Sequence, residues 1–377
     1  MQVSGDSLCP QTARSPAPPR AAPGGIGRSA VKPLTSSDPR ALGGIELLGR
    51  LGQGGMGVVY FGHTVEDAPV AVKTLHAAHL DRDDLRERFD RESTALGMVQ
   101  GPGVAALVAV SERDDETPWL AMEYVSGLDL ATYLERNDPL DEVDGAALGL
   151  VLASALTEIH TAGLLHRDLK PANVMLGPDG PRVVDFGLVA IGGAGGDLTM
   201  TNMRLGTPRF MAPEQFTDPT GVTAAADLYA LGVILAYATS GRYPYNGATP
   251  EALGMAAVSP DVHPDLAKVP AGLLPLVTEL MAIDPASRPA LADVRARLTE
   301  FLAAAGLSPG AARARLAERT HVEGTGIADA IPAATRPAAL TRPATAPLPT
   351  GTGTGSGPRL AARTAARLRK AYARPAA

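Results

Sequence analysis

The sequence predicts an α+β fold in which short strands precede long helices. Runs rich in β-branched and aromatic residues, such as 58–61 and 70–72, favour strands in the segment 45–125. The apolar stretches 145–157 and 228–241 are shorter than the roughly 18 residues of a membrane span, so they indicate buried helices. Strands followed by helices are the order expected of an α+β protein.

Charge and cysteine content restrict the class of protein. The formal net charge of the 377 residues is −6. After Glu300 there are 11 Lys and Arg against 3 Asp and Glu, or +8, which leaves 23 against 37, or −14, for the rest. A basic tail on an acidic body is predicted. Cys9 is the single cysteine, so no intrachain disulfide forms. With no spanning segment or signal-peptide h-region in the sequence, we expect a soluble, cytoplasmic protein.

Composition divides the chain into three segments. Residues 1–43 are rich in Pro, Ala, Ser and Gly and are predicted to be disordered. Residues 44–305 form the ordered body, and 306–377 are predicted to be a disordered, basic, Ala/Pro/Gly-rich tail. Within the tail, 360–374 carries five Arg and Lys among Leu and Ala. A basic helix on a membrane surface or an acidic partner is one interpretation, and a solvated tail is the other.

A glycine-rich segment opens the ordered body, with Gly52, Gly54 and Gly57 in a G-x-G-x-x-G pattern. Dinucleotide-binding folds share this pattern, but they need a helix after the last glycine. Here Val58 and Val59 follow and favour a strand. A strand–turn–strand hairpin can lay its backbone amides over a triphosphate, because glycine lets the backbone approach closely.

The residues that can carry chemistry are concentrated in His166-Arg167-Asp168-Leu169-Lys170-Pro171-Ala172-Asn173. Asp168 can accept a proton, Lys170 can stabilise a negative charge, and Asn173 offers an amide oxygen. Seventeen residues after Asp168, Asp185 follows an apolar pair and precedes Phe-Gly, where it is well placed to bind a hard cation such as magnesium. These groups are the parts that phosphoryl transfer needs.

Together these motifs resemble those of the eukaryotic-like (Hanks-type) serine/threonine protein kinases of bacteria. The resemblance covers about 45–305 and implies a bilobal fold. It places a small β-rich lobe with one main helix at about 44–124, a larger, mainly helical lobe at about 125–305, and ATP between them. The implied reaction is transfer of the ATP γ-phosphoryl group to Ser/Thr hydroxyls of proteins, including its own activation segment, in bacterial signal transduction. Mg²⁺ is the expected metal, with Mn²⁺ as an alternative.

The resemblance also assigns catalytic roles. Asp168 is the catalytic base, Lys170 stabilises the transferring phosphoryl group, and Asn173 and Asp185 bind the metal. Lys73 binds the α- and β-phosphates and forms an ion pair with Glu92, for which Glu87 is a competing candidate. Glu92 is preferred because apolar residues bracket it at helical spacing.

Further residues are implied to surround ATP. Leu51 and Val59 pack on adenine, the backbones of Glu123 and Val125 bind it, and Met175 lies beneath it. The full implied set is Leu51, Gly52, Gln53, Gly54, Gly55, Met56, Gly57, Val58, Val59, Ala71, Lys73, Glu92, Glu123, Val125, Asp129 (near the ribose) and Met175.

The segment 185–214 is implied to be the activation segment, with Thr199 and Thr201 as phosphorylation sites. A phosphate there would pair with Arg167, since a buried cation is costly without a partner. The alternative is that both are ordinary loop threonines. Thr207 resembles the substrate-platform threonine of this family.

Three residues are implied to support the structure. Glu214 and Arg288 form a buried ion pair, and Asp227 caps the backbone of the catalytic loop.

Protein substrates and ATP are the expected partners, with a homodimer through the small lobe, and no nucleic acid is expected.

Two other classes of protein are alternatives to this interpretation. A small-molecule phosphotransferase would normally lack the glycine-rich hairpin and the Gly206-Thr207-Pro208 platform. A catalytically dead scaffold would be expected to have lost Lys73, Asp168 or Asp185, and all three are present.

Overall fold

A six-stranded antiparallel sheet forms the first part of the fold in the computed structural model, which describes residues 31–54, 57–75, 83–113, 115, 117–186 and 208–322. The strand order is β1-β2-β3-β4-β6-β5. The strands are β1 (Ala41–Leu42), β2 (Ile45–Gly54), β3 (Gly57–His63), β4 (Pro69–Thr74), β5 (Leu107–Val110) and β6 (Trp119–Glu123). The predicted site residues Gly55, Met56, Thr199, Thr201 and Thr207 lie outside the described residues.

One helix, α1 (Asp83–Leu96), accompanies this sheet. Its residues Phe89 and Leu96 are buried in the same apolar cluster as Leu120 of β6. The sequence predicts a helix over 81–99, and the observed helix ends three residues earlier, at Leu96.

The second part of the fold is mainly helical. A three-stranded sheet, β7 (Leu128–Asp129), β8 (Val174–Gly177) and β9 (Gly180–Val183), lies at its start along with short 3₁₀ turns, one of them at Pro171–Asn173. The helices are α2 (Leu130–Arg136), α3 (Glu142–Thr161), α4 (Pro213–Thr217), α5 (Ala224–Ser240), α6 (Pro250–Val258), α7 (Leu274–Leu280), α8 (Leu291–Ala304) and α9 (Pro309–Thr320). Strands followed by helices are the predicted α+β order, which is confirmed.

Helices α3 and α5 form the centre of this helical part. Both are apolar on nearly every side, as expected of helices surrounded by protein. Asp141 caps the N-terminus of α3, and Gly241 ends α5 with a φ of +68°, which glycine adopts without strain. By length and composition alone, α3 is the one described helix that could cross a membrane, but 72% of its most apolar window is buried in the fold. Its composition is therefore that of a core helix.

The two parts are joined at two places. The first is the hinge, residues 123–127, which connects β6 with β7. The second is the loop 101–105 after α1, which hydrogen-bonds to β9. There Ala105 N donates to Val183 O at 3.0 Å, and Val183 N donates to Gly103 O at 2.8 Å.

Both predicted boundaries of the ordered body need correction. Ahead of the predicted start, Val31 is buried against Leu48 and Phe61, and Lys32 pairs with Arg50. Beyond the predicted end at residue 305, helix α9 packs on the core. The ordered body therefore extends at both ends into segments whose composition predicts disorder.

Candidate active site

The glycine-rich segment forms the predicted hairpin. Strands β2 and β3 pair in antiparallel register up to Gly54 opposite Gly57. Gly57 has a φ of +154°, and a Cβ on it would lie 1.7 Å from the carbonyl oxygen of Thr74. Only glycine lets the hairpin lie this close to β4. A Cβ on Gly52 would meet nothing within 4 Å, so that face of the hairpin is open.

Lys73 and Asp185 meet across the two parts of the fold. Lys73 Nζ lies 3.1 Å from Asp185 Oδ2, with 14% and 40% of the two side chains exposed. Asp185 has a φ of +59°, an unusual conformation for a residue with a side chain and one that is often found at functional sites. The convergence that the motifs predict is therefore present.

The predicted ion pair between Lys73 and Glu92 is wrong for this structure. No ion pair within 4.0 Å joins these two described residues, because Lys73 is bound to Asp185 instead. Glu92 is half-buried, and burial raises the pKa of its carboxyl, which the charges of Arg91 and Arg167 oppose. The competing candidate, Glu87, is exposed.

The catalytic loop brings its polar groups together. Lys170 Nζ lies 2.6 Å from Asp168 Oδ2. Asn173 Nδ2 donates to the backbone oxygen of Asp168 at 2.8 Å, and its second, longer contact of 3.4 Å is to Asp168 Oδ2. The amide nitrogen of Asn173 is used in this way, so its oxygen is left as a ligand for a cation.

The β8–β9 hairpin places Asn173 beside Asp185. Val174 pairs with Val183, and Val184 N donates to Asn173 O at 2.9 Å. One amide oxygen and one carboxylate suit Mg²⁺, which usually takes one or two carboxylates and fills its other positions with water and phosphate oxygens. No group of three or more His, Cys, Asp or Glu side chains that could hold a metal occurs in the described part of the chain. A site shared with a nucleotide therefore fits better than a closed metal cage.

Residues 45–298 match the family model described as protein kinase domain. The chain belongs to the protein kinase family. It is 41% identical over 291 residues to the serine/threonine-protein kinase AfsK of Streptomyces coelicolor, covering 77% of this chain and 36% of AfsK. It is 37% identical over 275 residues to PknK of Mycobacterium tuberculosis, covering 70% of this chain and 24% of PknK. The chain therefore spans about a third or less of the length of these curated relatives.

A solved kinase domain has the same fold. The crystal structure of the PknI kinase domain of Mycobacterium tuberculosis is 27% identical to this chain, with a TM-score of 0.53, and the match covers 69% of this chain and 97% of that domain. The predicted bilobal kinase fold, and membership of the bacterial Hanks-type family, are confirmed.

Asp227 holds the catalytic loop of this kinase domain as predicted. Its carboxylate accepts hydrogen bonds from His166 N at 2.9 Å and Arg167 N at 2.8 Å. His160 Nε2 lies 2.8 Å from the same carboxylate, a contact that sequence reasoning missed. Arg167 has a φ of +60°, and Gln215 Nε2 donates to its carbonyl oxygen at 3.0 Å. These bonds hold the residue before Asp168 in an otherwise unfavourable conformation.

His166 has a packing role. Its ring is fully buried, neither ring nitrogen has a hydrogen-bond partner among the described residues, and burial lowers its pKa. The ring packs edge-on against Phe186, with centroids 6.4 Å apart. The charges of Asp227, Asp168 and Asp185 oppose the effect of burial and raise the pKa of the ring, but burial is the larger cause.

Glu214 and Arg288 form the predicted ion pair. Both terminal nitrogens of the Arg288 side chain donate to the Glu214 carboxylate, the longer bond being 2.8 Å, and the Arg288 side chain is completely buried. Arg288 also donates to the backbone oxygens of Ala225 and Ala282, so its charge is well satisfied. This pair fixes the start of α4 to the segment after α7.

The backbone N–H of Val125 in the hinge is available to a base. Glu123 N donates to Ala106 O at 2.8 Å, whereas no hydrogen bond from Val125 N occurs within the described residues. The Glu123 carboxylate pairs with Arg182 of β9. Nearby, Asp129 accepts bonds from Thr132 N at 2.9 Å and Thr132 Oγ1 at 2.7 Å, so it caps α2.

The remaining predicted cleft residues differ in the burial of their side chains. Four of them are half-buried: Leu51, Val59, Ala71 and Met175. Val58 is different, because its side chain is buried with Tyr60 and Val72 in the apolar cluster of the sheet. Only its backbone can approach a ligand in the cleft.

Proposed function

We propose that this chain is a serine/threonine protein kinase, which transfers the γ-phosphoryl group of ATP to Ser/Thr hydroxyls of proteins. The observation that carries the proposal is the meeting of Lys73 with Asp185, beside the catalytic loop that holds Asp168, Lys170 and Asn173. The printed names of AfsK and PknK, both serine/threonine-protein kinases, support the same activity.

Each polar group of the site has a distinct task in this proposal. Asp168 orients the substrate hydroxyl and accepts its proton. Lys170, which lies 2.6 Å from Asp168, supplies positive charge where the phosphoryl group passes. Mg²⁺ held by Asn173 and Asp185 would neutralise charge on the nucleotide phosphates. Because these groups are held in place before reaction, positioning and electrostatic stabilisation supply most of the acceleration.

The described arrangement supports a resting state of the enzyme. Lys73 binds Asp185 rather than Glu92, although the proposal needs Asp185 for metal and Lys73 for phosphates. Glu92 meanwhile has a raised pKa because its carboxyl is desolvated, and no ion pair joins it to another of the described residues. Binding of the nucleotide would release Lys73 from Asp185, and a shift of α1 would bring Glu92 to Lys73.

Phosphorylation of the activation segment is the proposed switch. Arg167 Nε is buried and has no hydrogen-bond partner among the described residues. A phosphate on Thr199 or Thr201 would supply that partner. Thr207 keeps its proposed role as the substrate platform.

Several finer features belong to the same proposal. Mg²⁺ is the working metal, and Mn²⁺ is an alternative that the same oxygen ligands suit. The kinase acts in the cytoplasm and dimerises through its small lobe. For the basic segment 360–374 two alternatives stay open, binding to an anionic membrane surface or an acidic partner, and a solvated tail.

The test is transfer of radiolabelled phosphate from ATP, with and without a generic protein substrate. Wild type should label itself and the substrate, and Lys73→Met and Asp168→Asn should abolish both signals. Lys268→Met, which removes an exposed lysine far along the chain, is the matched control and should label like wild type. Retained autophosphorylation in either site variant would contradict the assignments. A wild type that labels only small molecules would favour the phosphotransferase class, and one without any transfer would favour a scaffold.

A further inference from the structure

Helix α9 is an integral part of the folded body, although it lies beyond the residues that match the protein kinase domain. Ala312, Leu316 and Thr320, at intervals of four, are at most 1% exposed. Ser308 caps the helix through a bond from Ala311 N to its hydroxyl oxygen. A helix with one buried stripe is fixed against the body in a single orientation.

Two arginines attach α9 to the start of α3. Arg315 Nε lies 2.9 Å from Asp144 Oδ1, and Arg319 Nη1 lies 2.7 Å from Asp144 Oδ2. Asp144 is completely buried, and both arginines also reach Asp141. Either arginine alone leaves Asp144 paired, so this attachment survives the loss of one of them.

Arg313 does something different from its neighbours on the same helix. Its guanidinium donates to backbone oxygens of two separate loops, with Nε 2.7 Å from Asp179 O and Nη2 2.6 Å from Pro102 O. Gly180 makes room for it, because a Cβ there would lie 2.9 Å from Arg313 Cγ. Burial, together with the charge of Arg182, lowers the pKa of Arg313.

Both loops lead directly to the nucleotide cleft. The turn at Asp179 continues into β9, where Arg182 pairs with Glu123 of the hinge and lies opposite Met175. The loop 101–105 connects α1, which carries Glu92, with β5, and it is bonded to Val183 of β9. Arg313 therefore bonds directly to one of the two places where the small and large lobes are connected, the loop 101–105, and it is linked to the other, the hinge, through β9 and the pair of Arg182 with Glu123.

We propose that Arg313 is a positioning residue for nucleotide binding, which holds the loop after α1 and the β8–β9 turn in the relative position that the cleft requires. The inference rests on the proposed kinase function. It gives α9 a role in nucleotide binding, although the helix does not touch the nucleotide cleft. Arg is suited to this role because its rigid fork can donate to both loops at once.

The experiment measures binding of Mg-ATP to the full chain by calorimetry, together with KM for ATP, kcat and the melting temperature. Arg313→Ala should weaken binding and raise KM about three- to tenfold, the range of coupling transmitted through packed elements. Arg313→Lys keeps the charge and the stem but not the fork, so it should recover only part of the affinity; it also serves if the alanine variant does not fold. Arg315→Ala is the matched control on the same helix, and it should lower the melting temperature while leaving the dissociation constant within about twofold of wild type.

The results separate the inference from the function on which it rests. If wild type binds Mg-ATP and Arg313→Ala binds equally well, Arg313 only packs the helix and the inference is overturned. Equal weakening by Arg313→Ala and Arg315→Ala would overturn it as well, because both variants would then act through general loosening. Failure of wild type to bind Mg-ATP would instead overturn the proposed function.

Discussion

Lys73 Nζ and Asp185 Oδ2 lie 3.1 Å apart, although 112 positions (185 − 73) separate the two residues in the chain. The contact joins the end of β4 in the small lobe to the segment that follows β9. Because 40% of the Asp185 side chain is exposed, solvent screens the attraction and its contribution to stability is small, about 1 kcal/mol or less.

We therefore expect Asp185→Asn to separate activity from stability. Phosphoryl transfer should fall about 10²–10³-fold or more, since one preorganised charge is lost at the reacting centre. The melting temperature should change by about 2 °C or less. Radiolabel transfer and thermal unfolding, measured beside Asp261→Asn at an exposed position, check both parts. A variant that unfolds far earlier than wild type would mean that the contact is mainly structural.

Glu92→Gln should stabilise the resting protein while impairing the enzyme. The pKa of Glu92 is raised above 4.5 because the half-buried carboxylate is desolvated. An acid with a raised folded pKa destabilises the folded state, because the unfolded chain ionises first. The penalty is absent below the ordinary pKa of 4.5, grows as pH rises from there to the folded pKa, and is constant above it. The amide removes it.

The measurement for Glu92 is the melting temperature of the variant relative to wild type at about pH 3.5, below the ordinary pKa of 4.5, and at pH 7. The difference should be near zero at the lower pH and about 1–2 °C in favour of the variant at pH 7. Glu87→Gln on the exposed side of the same helix should show no such trend. A less stable Glu92 variant at pH 7 would show that the carboxylate has a close cationic partner in solution.

Local motifs predict most of the catalytic loop, and tertiary placement explains what they miss. Asn173 and Asp185 flank one short hairpin, so their meeting is set by register alone. The partner of Lys73 depends on how α1 is placed as a rigid body, which no pattern within the helix records. The helical spacing correctly predicts that Glu92 lies on the half-buried side of α1, but it does not predict which residue Glu92 contacts.

The missed ends of the domain have a different cause. Helix α9 begins with Ser308 and Pro309, a common start signal, and its buried stripe repeats every four residues. Two of the stripe residues, Ala312 and Thr320, are small or polar, so the apolar signal is weak. When composition is averaged over the whole tail, which is rich in Pro and Ala, this weak periodic signal is lost.

Asp227→Asn should destabilise the backbone conformation of the catalytic loop and lower the activity. The carboxylate accepts two backbone N–H groups and lies 2.8 Å from His160 Nε2, and an amide would turn two donor hydrogens toward one of these donors. A buried donor left without an acceptor costs about 1–3 kcal/mol, more where a charge is involved. We expect a loss of about 2–4 kcal/mol in the free energy of unfolding and a clear fall in kcat.

Urea unfolding and initial rates of phosphate transfer test the Asp227 prediction. His160→Gln, which keeps a donor near the carboxylate, is the comparison and should lose about 1 kcal/mol or less. If Asp227→Asn unfolds at the same urea concentration as wild type and transfers phosphate at the same rate, the loop does not depend on this cap.

Asp38 ties the segment before β1 to the small lobe. Its side chain is 2% exposed and accepts bonds from Arg50 Nε at 2.7 Å and Arg50 Nη2 at 2.6 Å. Tyr60 donates its hydroxyl to the same carboxylate at 2.8 Å, and burial together with this contact raises the pKa of Tyr60 to about 12. The Arg50 guanidinium holds the pKa of Asp38 well below its usual range.

Asp38→Asn should therefore destabilise the small lobe in a pH-dependent manner. A lowered pKa means that the ionised carboxylate stabilises the fold above the ordinary value of 3.8, and that this contribution is lost as pH falls toward the folded pKa. At pH 7 we expect a loss of about 2–4 kcal/mol, because Arg50 is left without its partner in a largely buried site. The gap between variant and wild type should narrow as pH falls below 4. Asp67→Asn, whose side chain is 89% exposed, should change stability by about 0.5 kcal/mol or less. Equal and small losses in both variants at pH 7 would mean that residues 31–38 do not stabilise the lobe.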